Sequence, residues 1–199
     1  RPFCEVTGAP FGHDMGDGIL SAEAIADPPP YSRCRSAVLY DENVRSLVSG
    51  FKYSDRLDLG PWLANWMITA GQELFVSKPL LVPVPLYPLR LIGRRYNQSS
   101  ELARQISKRT GLSFRPDILI RHRRTKQQVG LAARERERNV QGAFRVRDEM
   151  RAELVGRTVL LIDDVYTSGA TVKAAARALK RGGSRNIDVL TFARVETIE

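Results

Sequence analysis

From about residue 80 the chain alternates between short apolar runs and segments with helical periodicity. Residues 97–109 and 170–181 carry apolar side chains at the three- and four-residue spacing of an amphipathic helix. Four apolar runs of strand length surround them: 80–84, 118–120, 158–162 and 187–192. Strands that alternate with helices form parallel sheets, because each helix returns the chain to the same edge. The pattern therefore predicts an α/β domain with a parallel sheet flanked by helices.

Upstream of residue 80 the pattern is helical, after an irregular beginning. Residues 44–51 and 59–74 carry apolar side chains at helical spacing, and we expect Trp62 and Trp66 to act as packing anchors there. Residues 1–33 are rich in Gly, Pro and Asp and show no sustained period. We therefore expect an irregular leader over residues 1–33.

The most informative local pattern is the junction between the strand at 158–162 and the helix at 170–181. The strand ends in Asp163 and Asp164, and a turn of small and hydroxyl-bearing residues follows over 167–171. In an open parallel sheet, ligands bind beyond the carboxyl ends of the strands, where such turns lie. The turn presents backbone N–H groups and the positive end of a helix dipole, so the sequence predicts a phosphate site there.

The side chains around this turn suit two different parts of one ligand. Hydroxyl groups of Thr167, Ser168 and Thr171 add hydrogen-bond donors, and Gly169 lets the backbone approach closely. The two carboxylates would repel phosphate, but they accept hydrogen bonds from adjacent sugar hydroxyls. A helix N-cap would explain the small residues of the turn but not the acidic pair. A phosphate at one end and a diol at the other describe ribose 5-phosphate.

The segment Val159–Val172 resembles the signature of type I phosphoribosyltransferases, in which four hydrophobic residues precede two acids, one hydrophobic residue and a small Thr/Ser-Gly-x-Thr loop. Other segments resemble the competence protein F (ComF) family within that superfamily: Val82–Leu86 with Arg94–Gln98, Arg124–Gln128 with Leu131, and Arg136–Phe144. The resemblance covers roughly residues 30–195. It implies a type I phosphoribosyltransferase-like domain over residues 34–199, with a flexible hood loop above the site.

The resemblance also implies a ligand, phosphoribosyl pyrophosphate (PRPP), and a role for each matching position. Asp163 and Asp164 are the candidate catalytic residues and would contact the ribose 2′- and 3′-hydroxyls. The 5′-phosphate would be held by the loop residues Thr167, Ser168, Gly169, Ala170 and Thr171. The turn at Pro85 and Leu86 matches the place where these enzymes grip pyrophosphate.

The stretch 121–142 matches the flexible loop, where Arg124 and Lys126 would neutralise pyrophosphate as it leaves. Mg²⁺ would bind mainly through PRPP oxygens and water, as this hard cation prefers. The resemblance therefore implies magnesium as the cofactor, held with PRPP rather than in a protein cage.

The charge of the chain favours anionic partners. The formal net charge is +9, and seven basic residues stand against two acids between Arg121 and Arg138. A basic surface attracts phosphate-bearing molecules, whether a small polyanion or nucleic acid. The alternative is a solvated loop or a charged helix face.

Members of the ComF family often begin with a zinc ribbon built from cysteine pairs. Here Cys4–Gly8 has the outline of one such turn, with Thr7 where the second cysteine belongs, and Cys34 is expected to be a small structural side chain. Four zinc ligands cannot be assembled, so we expect no zinc and interpret the leader as a degenerate remnant. The two cysteines form no disulfide framework and no apolar stretch is long enough to span a bilayer, which predicts a cytoplasmic protein without membrane insertion.

Two functions are compatible with these residues. The resemblance implies a role in competence and DNA uptake, with cytoplasmic handling of single-stranded DNA and contacts to DNA-uptake proteins. The alternative is an active Mg–PRPP-dependent phosphoribosyltransferase that passes ribosyl 5-phosphate to an acceptor. No residue identifies a base for the acceptor or a pocket that selects one, so turnover is left open and the first function is favoured.

Overall fold

The structure is a computed structural model that describes residues 2–13, 16, 18–53, 56–87, 96–125 and 132–196. The strands are β1 (Arg33–Leu39), β2 (Leu80–Pro83), β3 (Leu119–Arg121), β4 (Phe144–Val146), β5 (Thr158–Tyr166) and β6 (Asn186–Arg194). The α-helices are α1 (Ala22–Ala26), α2 (Glu42–Tyr53), α3 (Gly60–Ala70), α4 (Gln98–Thr110), α5 (Ala133–Val140), α6 (Arg151–Leu154) and α7 (Ala170–Arg181). Strands and helices thus alternate from residue 80 onward, as the periodicity predicts.

The main sheet has the strand order β1-β6-β5-β2, and all of its pairings are parallel. The predicted α/β architecture with a parallel sheet flanked by helices is therefore confirmed. The short apolar runs near residues 119 and 145 do not join this sheet. They form β3 and β4, which pair antiparallel with each other in a separate two-stranded sheet. An apolar strand pattern predicts only that the backbone is extended. The strand with which it pairs is decided by the tertiary structure.

The main sheet is buried on both faces, which explains its continuous apolar runs. Successive side chains of a strand point to opposite faces, so β5 divides its residues between two cores. Val159 and Leu161 pack in the core that includes α7, β3 and β4. Leu160 and Ile162 pack in the core that includes α2, α3 and α4. The sheet therefore lies between two packed layers, and its strand ends are the places where ligands bind in such sheets.

Helix α4 begins and ends where its sequence predicts. Asn97 caps the first turn by accepting a hydrogen bond from the N–H of Ser99 (3.1 Å). Gly111 ends the helix in the left-handed conformation, with φ of 71°. Leu102, Ala103 and Ile106 are fully buried on the face toward the sheet. Local signals were sufficient here because the caps and the apolar stripe agree.

The expectation that both tryptophans are packing anchors is wrong for Trp62. Trp62 has 69% of its surface exposed, while Trp66 is 50% exposed and stacks on Phe192 with ring centroids 6.2 Å apart. Helix α3 buries Leu63 and Met67 instead. The helix also carries apolar residues outside its buried face, and Trp62 is one of them.

In its described residues, the leader contains the short helix α1 and an antiparallel bridge between Phe3 and Pro10, and the rest forms turns, bends and irregular backbone. It packs against the sheet, because Tyr31 belongs to the core beneath α7 and the N–H of Cys34 donates to the carbonyl of Val6 (2.7 Å). Strand β1 then begins at Arg33. Among the described residues, no helix is long and apolar enough to cross a membrane.

Candidate functional site

The predicted site lies at one edge of the main sheet, where the carboxyl ends of β2 and β5 are neighbours. Pro83 pairs with Ile162, and the N–H of Val84 donates to the carbonyl of Ile162 (2.9 Å). The turn at Pro85 and Leu86 therefore emerges beside the two aspartates that follow Ile162. Both turn residues are partly exposed. The structure thus brings together two segments separated by about eighty positions of sequence, which no local pattern could do.

The two aspartates lie within β5, whereas the sequence predicted that the strand ends before them. The strand continues to Tyr166, because Val165 and Tyr166 still pair with Ala193 and Arg194 of β6. The carboxylates therefore sit on a backbone fixed by strand pairing rather than on a loop. A fixed backbone positions an acidic side chain more accurately than a free turn does.

Asp163 and Asp164 have different environments. Asp163 is buried, with 8% of its surface exposed, and its Oδ1 accepts hydrogen bonds from the Ser99 hydroxyl (2.8 Å) and from the N–H of Asp164 (3.0 Å). Asp164 is partly exposed, and its Oδ1 accepts a hydrogen bond from the N–H of Val165 (2.7 Å). One carboxylate is therefore anchored to α4, while the other is more open to a ligand.

Helix α4 contributes two positioning residues that the sequence analysis did not select. The Asn97 side-chain amide donates to the carbonyl of Val84 (3.0 Å), and the same side chain caps α4. Ser99, in the first turn, then donates to Asp163. The start of α4 thus joins the end of β2 to the acidic pair. The available signal was the segment Arg94–Gln98, which resembles the ComF family but carries no residue typical of catalysis.

The turn between β5 and α7 has the features of an anion site. Gly169 has φ of 72°, and no side chain caps the helix that begins at Ala170. The Ser168 hydroxyl oxygen is buried and has no hydrogen-bond partner in the described part of the chain. Thr167 and Thr171 are partly exposed on either side. An uncapped helix N-terminus with nearby hydroxyls can donate several hydrogen bonds to one phosphate group.

A buried aromatic pair supports this turn from below. A Cβ atom at Gly169 would lie 2.3 Å from the Tyr166 hydroxyl oxygen, so only glycine fits above that ring. The Tyr166 and Tyr31 hydroxyls are 3.0 Å apart, and burial raises the pKa of both phenols. The Arg194 guanidinium lies 4.1 Å from the centre of the Tyr166 ring. The position of the turn therefore depends on the leader and on β6.

A buried lysine makes a second link between the leader and α7. Lys173 is 4% exposed, and its Nζ lies 3.1 Å from Asp27 and 3.7 Å from Glu23. Burial by itself lowers the pKa of Lys173, but the hydrogen bond from its ammonium to Asp27 and the two carboxylate charges outweigh burial and raise it. The first turn of the helix behind the phosphate loop is thus held by two carboxylates of the leader.

The basic stretch 121–142 is less uniform than its composition suggests. Arg121 is buried, lies 5.3 Å from the centre of the Phe144 ring and donates to Thr125. Arg123 donates to the main-chain carbonyls of Asn139 (3.0 Å) and Gln141. Both arginines are therefore engaged by hydrogen bonds within this stretch, and they are not the free basic surface that a count of charges predicts.

The two basic residues predicted to neutralise pyrophosphate have different outcomes. Arg124 is exposed and follows β3, in a different sheet from the acidic pair. Lys126 lies outside the described residues. Helix α5 occupies 133–140 in the same stretch and buries Val140. The roles of Arg124, Lys126, Pro85 and Leu86 toward pyrophosphate stay predictions.

The two cysteines are buried and reduced. Burial raises the pKa of Cys34 to about 11. Burial also acts to raise the pKa of Cys4, but hydrogen bonds from the N–H groups of Ser21 (3.2 Å) and Thr7 (3.4 Å) outweigh it and lower the pKa to about 7. In the ranges that the structure describes, no three His, Cys, Asp or Glu side chains cluster so as to hold a metal ion. His13 is exposed, and Asp14 lies outside those ranges.

Comparisons with known proteins define the class of this fold. The model of the phosphoribosyl transferase domain family matches residues 96–197, which include α4, both aspartates and the whole loop. A solved structure of the allosteric regulatory enzyme of purine biosynthesis is 18% identical, with 71% of this chain and 29% of that one covered, but its TM-score is only 0.46. The class therefore rests on the family match, not on that structure.

Curated relatives narrow the class further. A "DNA utilization protein" of Salmonella typhi is 30% identical, with 96% of this chain and 83% of the relative covered. "Competence protein F" of Haemophilus influenzae is 31% identical, with 78% and 69% covered. The chain belongs to the phosphoribosyl transferase domain family and, within it, to the competence protein F group.

Proposed function

We propose that this chain binds Mg–PRPP at the carboxyl edge of β2 and β5, with the ribose diol on the aspartates and the 5′-phosphate on the loop. The observation that carries the proposal is the loop itself. The buried Ser168 hydroxyl without a partner and the uncapped start of α7 lie directly after two carboxylates. An anion would accept hydrogen bonds from the Ser168 hydroxyl and from the start of α7. A diol would donate to the two carboxylates, because charged acceptors form strong hydrogen bonds with hydroxyl donors.

The site suits magnesium that arrives with the ligand. Asp163 and Asp164 supply oxygen atoms, which Mg²⁺ prefers, but Asp163 is already engaged by Ser99 and by a backbone N–H. The described residues offer no cluster that would hold the ion alone. Magnesium would supply charge neutralisation at the diphosphate, while Asp163 and Asp164 orient the ribose.

The biological role we propose is in competence and DNA uptake, with handling of single-stranded DNA in the cytoplasm. Two observations support it. The relatives carry the names competence protein F and DNA utilization protein, and the net charge of +9 attracts nucleic acid. The second candidate is an active phosphoribosyltransferase, favoured by the complete loop and acidic pair. Its acceptor is undefined, because among the described residues no general base stands out beside the loop.

Calorimetry with Mg–PRPP and with inorganic phosphate tests the site. Replacing Asp163 and Asp164 together by Asn should weaken PRPP binding by about 1.5–3 kcal/mol for each charged hydrogen bond lost to the diol. Binding of inorganic phosphate should change much less, because the loop is untouched. Equal losses for both ligands would contradict the division between diol and phosphate.

A matched control is Asp117→Asn. This carboxylate is ion-paired with Arg115, and the N–H of Arg115 donates to the carbonyl of Leu81. Leu81 lies near the amino end of β2, whereas the candidate site lies at the carboxyl ends of the strands. The control should leave PRPP binding unchanged. Release of pyrophosphate from Mg–PRPP during an acceptor screen would then select the enzyme over the binding module.

A further inference from the structure

Two adjoining clefts lie beside α7, farther along the helix than the phosphate loop. The larger, of about 590 Å³, lies between α7 and the end of α5 and is lined by Arg138, Arg177 and Arg181. The smaller, of about 220 Å³, lies between α7 and β4 and is lined by Arg145 and Arg151. Arg181 lines both clefts, so together they form one continuous surface, which we call the basic furrow.

The charges of the furrow are largely uncompensated. Arg138, Arg145, Arg177 and Arg181 are exposed, and in the residues that the structure covers none of them forms a salt bridge. Only Arg151 is paired, with Asp148 at 3.1 Å. The lining also includes the acidic residues Glu137 and Asp148, so five arginines stand against two carboxylates. The furrow is therefore a local excess of positive charge.

Helix stability explains only part of this pattern. Arg181 and Lys180 lie in the last turn of α7, where positive charge interacts favourably with the helix dipole. Arg177 lies one turn earlier and four residues from Arg181, and like charges at that spacing destabilise a helix. Arg138 and Arg145 belong to other elements altogether. An external anion that contacts all of them accounts for their convergence.

The chemistry of the furrow fits a phosphate chain. Guanidinium groups bind phosphate through two parallel hydrogen bonds, and Arg177 and Arg181 are separated by about 6 Å along the helix. The aromatic residue that lines the furrow, Phe144, is buried beneath Arg121 and offers no face for a base to stack on. Contact with the backbone alone is therefore expected, without preference for sequence.

We propose that the basic furrow binds the phosphate backbone of single-stranded DNA. The choice of DNA rests on the proposed function, since the arginines by themselves define a polyanion. The furrow is distinct from the phosphate loop, because Arg177 and Arg181 lie about 12 Å and 18 Å along α7 from Gly169. It is also distinct from the loop arginines Arg121 and Arg123, which are engaged within the fold.

The test is fluorescence anisotropy of a labelled oligothymidylate over a series of salt concentrations, with the full chain and without PRPP. Each phosphate contact contributes about 0.7 to the slope of log affinity against log salt for single strands. The double variant Arg177→Gln with Arg181→Gln should flatten the slope by about 1.4, and adding Arg138→Gln should flatten it further. Both variants should unfold cooperatively at the wild-type temperature in a thermal melt, which shows that they are folded.

A matched control removes two charges elsewhere. Arg45 and Arg56 are exposed and belong to the layer of α2 and α3, on the other face of the sheet. Arg45→Gln with Arg56→Gln should leave the slope unchanged. An equal effect of this control would overturn the proposal, because net charge alone would then explain binding.

Three other results would overturn it. One is the absence of salt-dependent DNA affinity in the wild-type chain. Another is a slope in the Arg177→Gln with Arg181→Gln variant that equals the wild-type slope. The third is displacement of the DNA by polyglutamate at an equal concentration of charge, which would indicate an acidic protein as partner. A failure to bind PRPP would contradict the proposed PRPP site. It would not contradict DNA binding by the basic furrow, since the anisotropy assay contains no PRPP.

Discussion

At the scale of single residues, the site depends on a glycine placed over an aromatic ring. Gly169 adopts a left-handed backbone, and the Tyr166 hydroxyl occupies the space that a Cβ atom would need. Tyr166 in turn contacts Tyr31 and Arg194, so the ring has little room to move away. The phosphate loop is thus fixed by the packing beneath it as well as by its own sequence.

Gly169→Ala should therefore destabilise the protein more than the replacement of a left-handed glycine usually does. The left-handed backbone alone costs about 1–2 kcal/mol for alanine, and the clash with Tyr166 adds to this cost. Thermal unfolding should show a clear loss of stability, and calorimetry should show loss of Mg–PRPP binding.

The matched control is Gly156→Ala, at a glycine with φ of 73° and no atom within 4 Å of the added Cβ. It should show the backbone cost alone and keep ligand binding. If the two variants lose the same free energy of unfolding, the clash between the added Cβ atom and Tyr166 does not affect stability.

At the scale of elements, the start of α4 connects the two halves of the candidate site. Asn97 bonds to the end of β2 and caps the helix, and Ser99 bonds to the buried carboxylate in β5. One helix terminus therefore sets the spacing between the Pro85 turn and the acidic pair. This arrangement gives a structural role to a segment with no catalytic side chain of its own.

Asn97→Ala should lower the free energy of unfolding by about 1 kcal/mol, the usual cost of losing an N-cap, and should also weaken Mg–PRPP binding. Chemical denaturation and calorimetry measure the two effects. Asp41→Ala removes the side chain that caps the start of α2 by accepting from the N–H of Val44, and it serves as the comparison. A loss of ligand affinity in that comparison variant as large as in Asn97→Ala would contradict the proposed link.

At the scale of the whole molecule, the leader and the domain share the helix behind the phosphate loop. Lys173 of α7 is buried against Asp27 and Glu23, and Tyr31 joins the core beneath the same helix. The leader therefore contributes to the position of the loop even though it supplies none of the predicted ligand contacts.

Lys173→Met should loosen the leader, because it removes both ion pairs and leaves two carboxylates beside an apolar side chain. Limited proteolysis should cut the leader faster in this variant than in the wild type. Lys180→Met changes an exposed lysine of the same helix. The leader of this variant should be cut at the wild-type rate. Equal rates in both variants would show that the leader is held without Lys173.

The sequence alone was sufficient for features that depend on neighbouring residues. Periodicity predicted the strands and the helices that alternate with them, and the helix predicted over 97–109 agrees closely with the observed Gln98–Thr110. The order of strand, acids, small turn and helix predicted the segment from Asp163 to Thr171, and the same segment carried the family resemblance. These features are local, because both hydrogen bonds and side-chain spacing within an element are set by adjacent positions.

Only the tertiary structure decided which distant residues meet. It continued β5 past both aspartates by pairing Val165 and Tyr166 with β6, and it brought Ser99 to Asp163. It also buried Arg121 and joined Arg138 of α5 to Arg177 and Arg181 of α7. A count of charges along the chain cannot distinguish an arginine that packs on a ring from one that faces solvent. That difference depends on packing between elements, which local sequence does not determine.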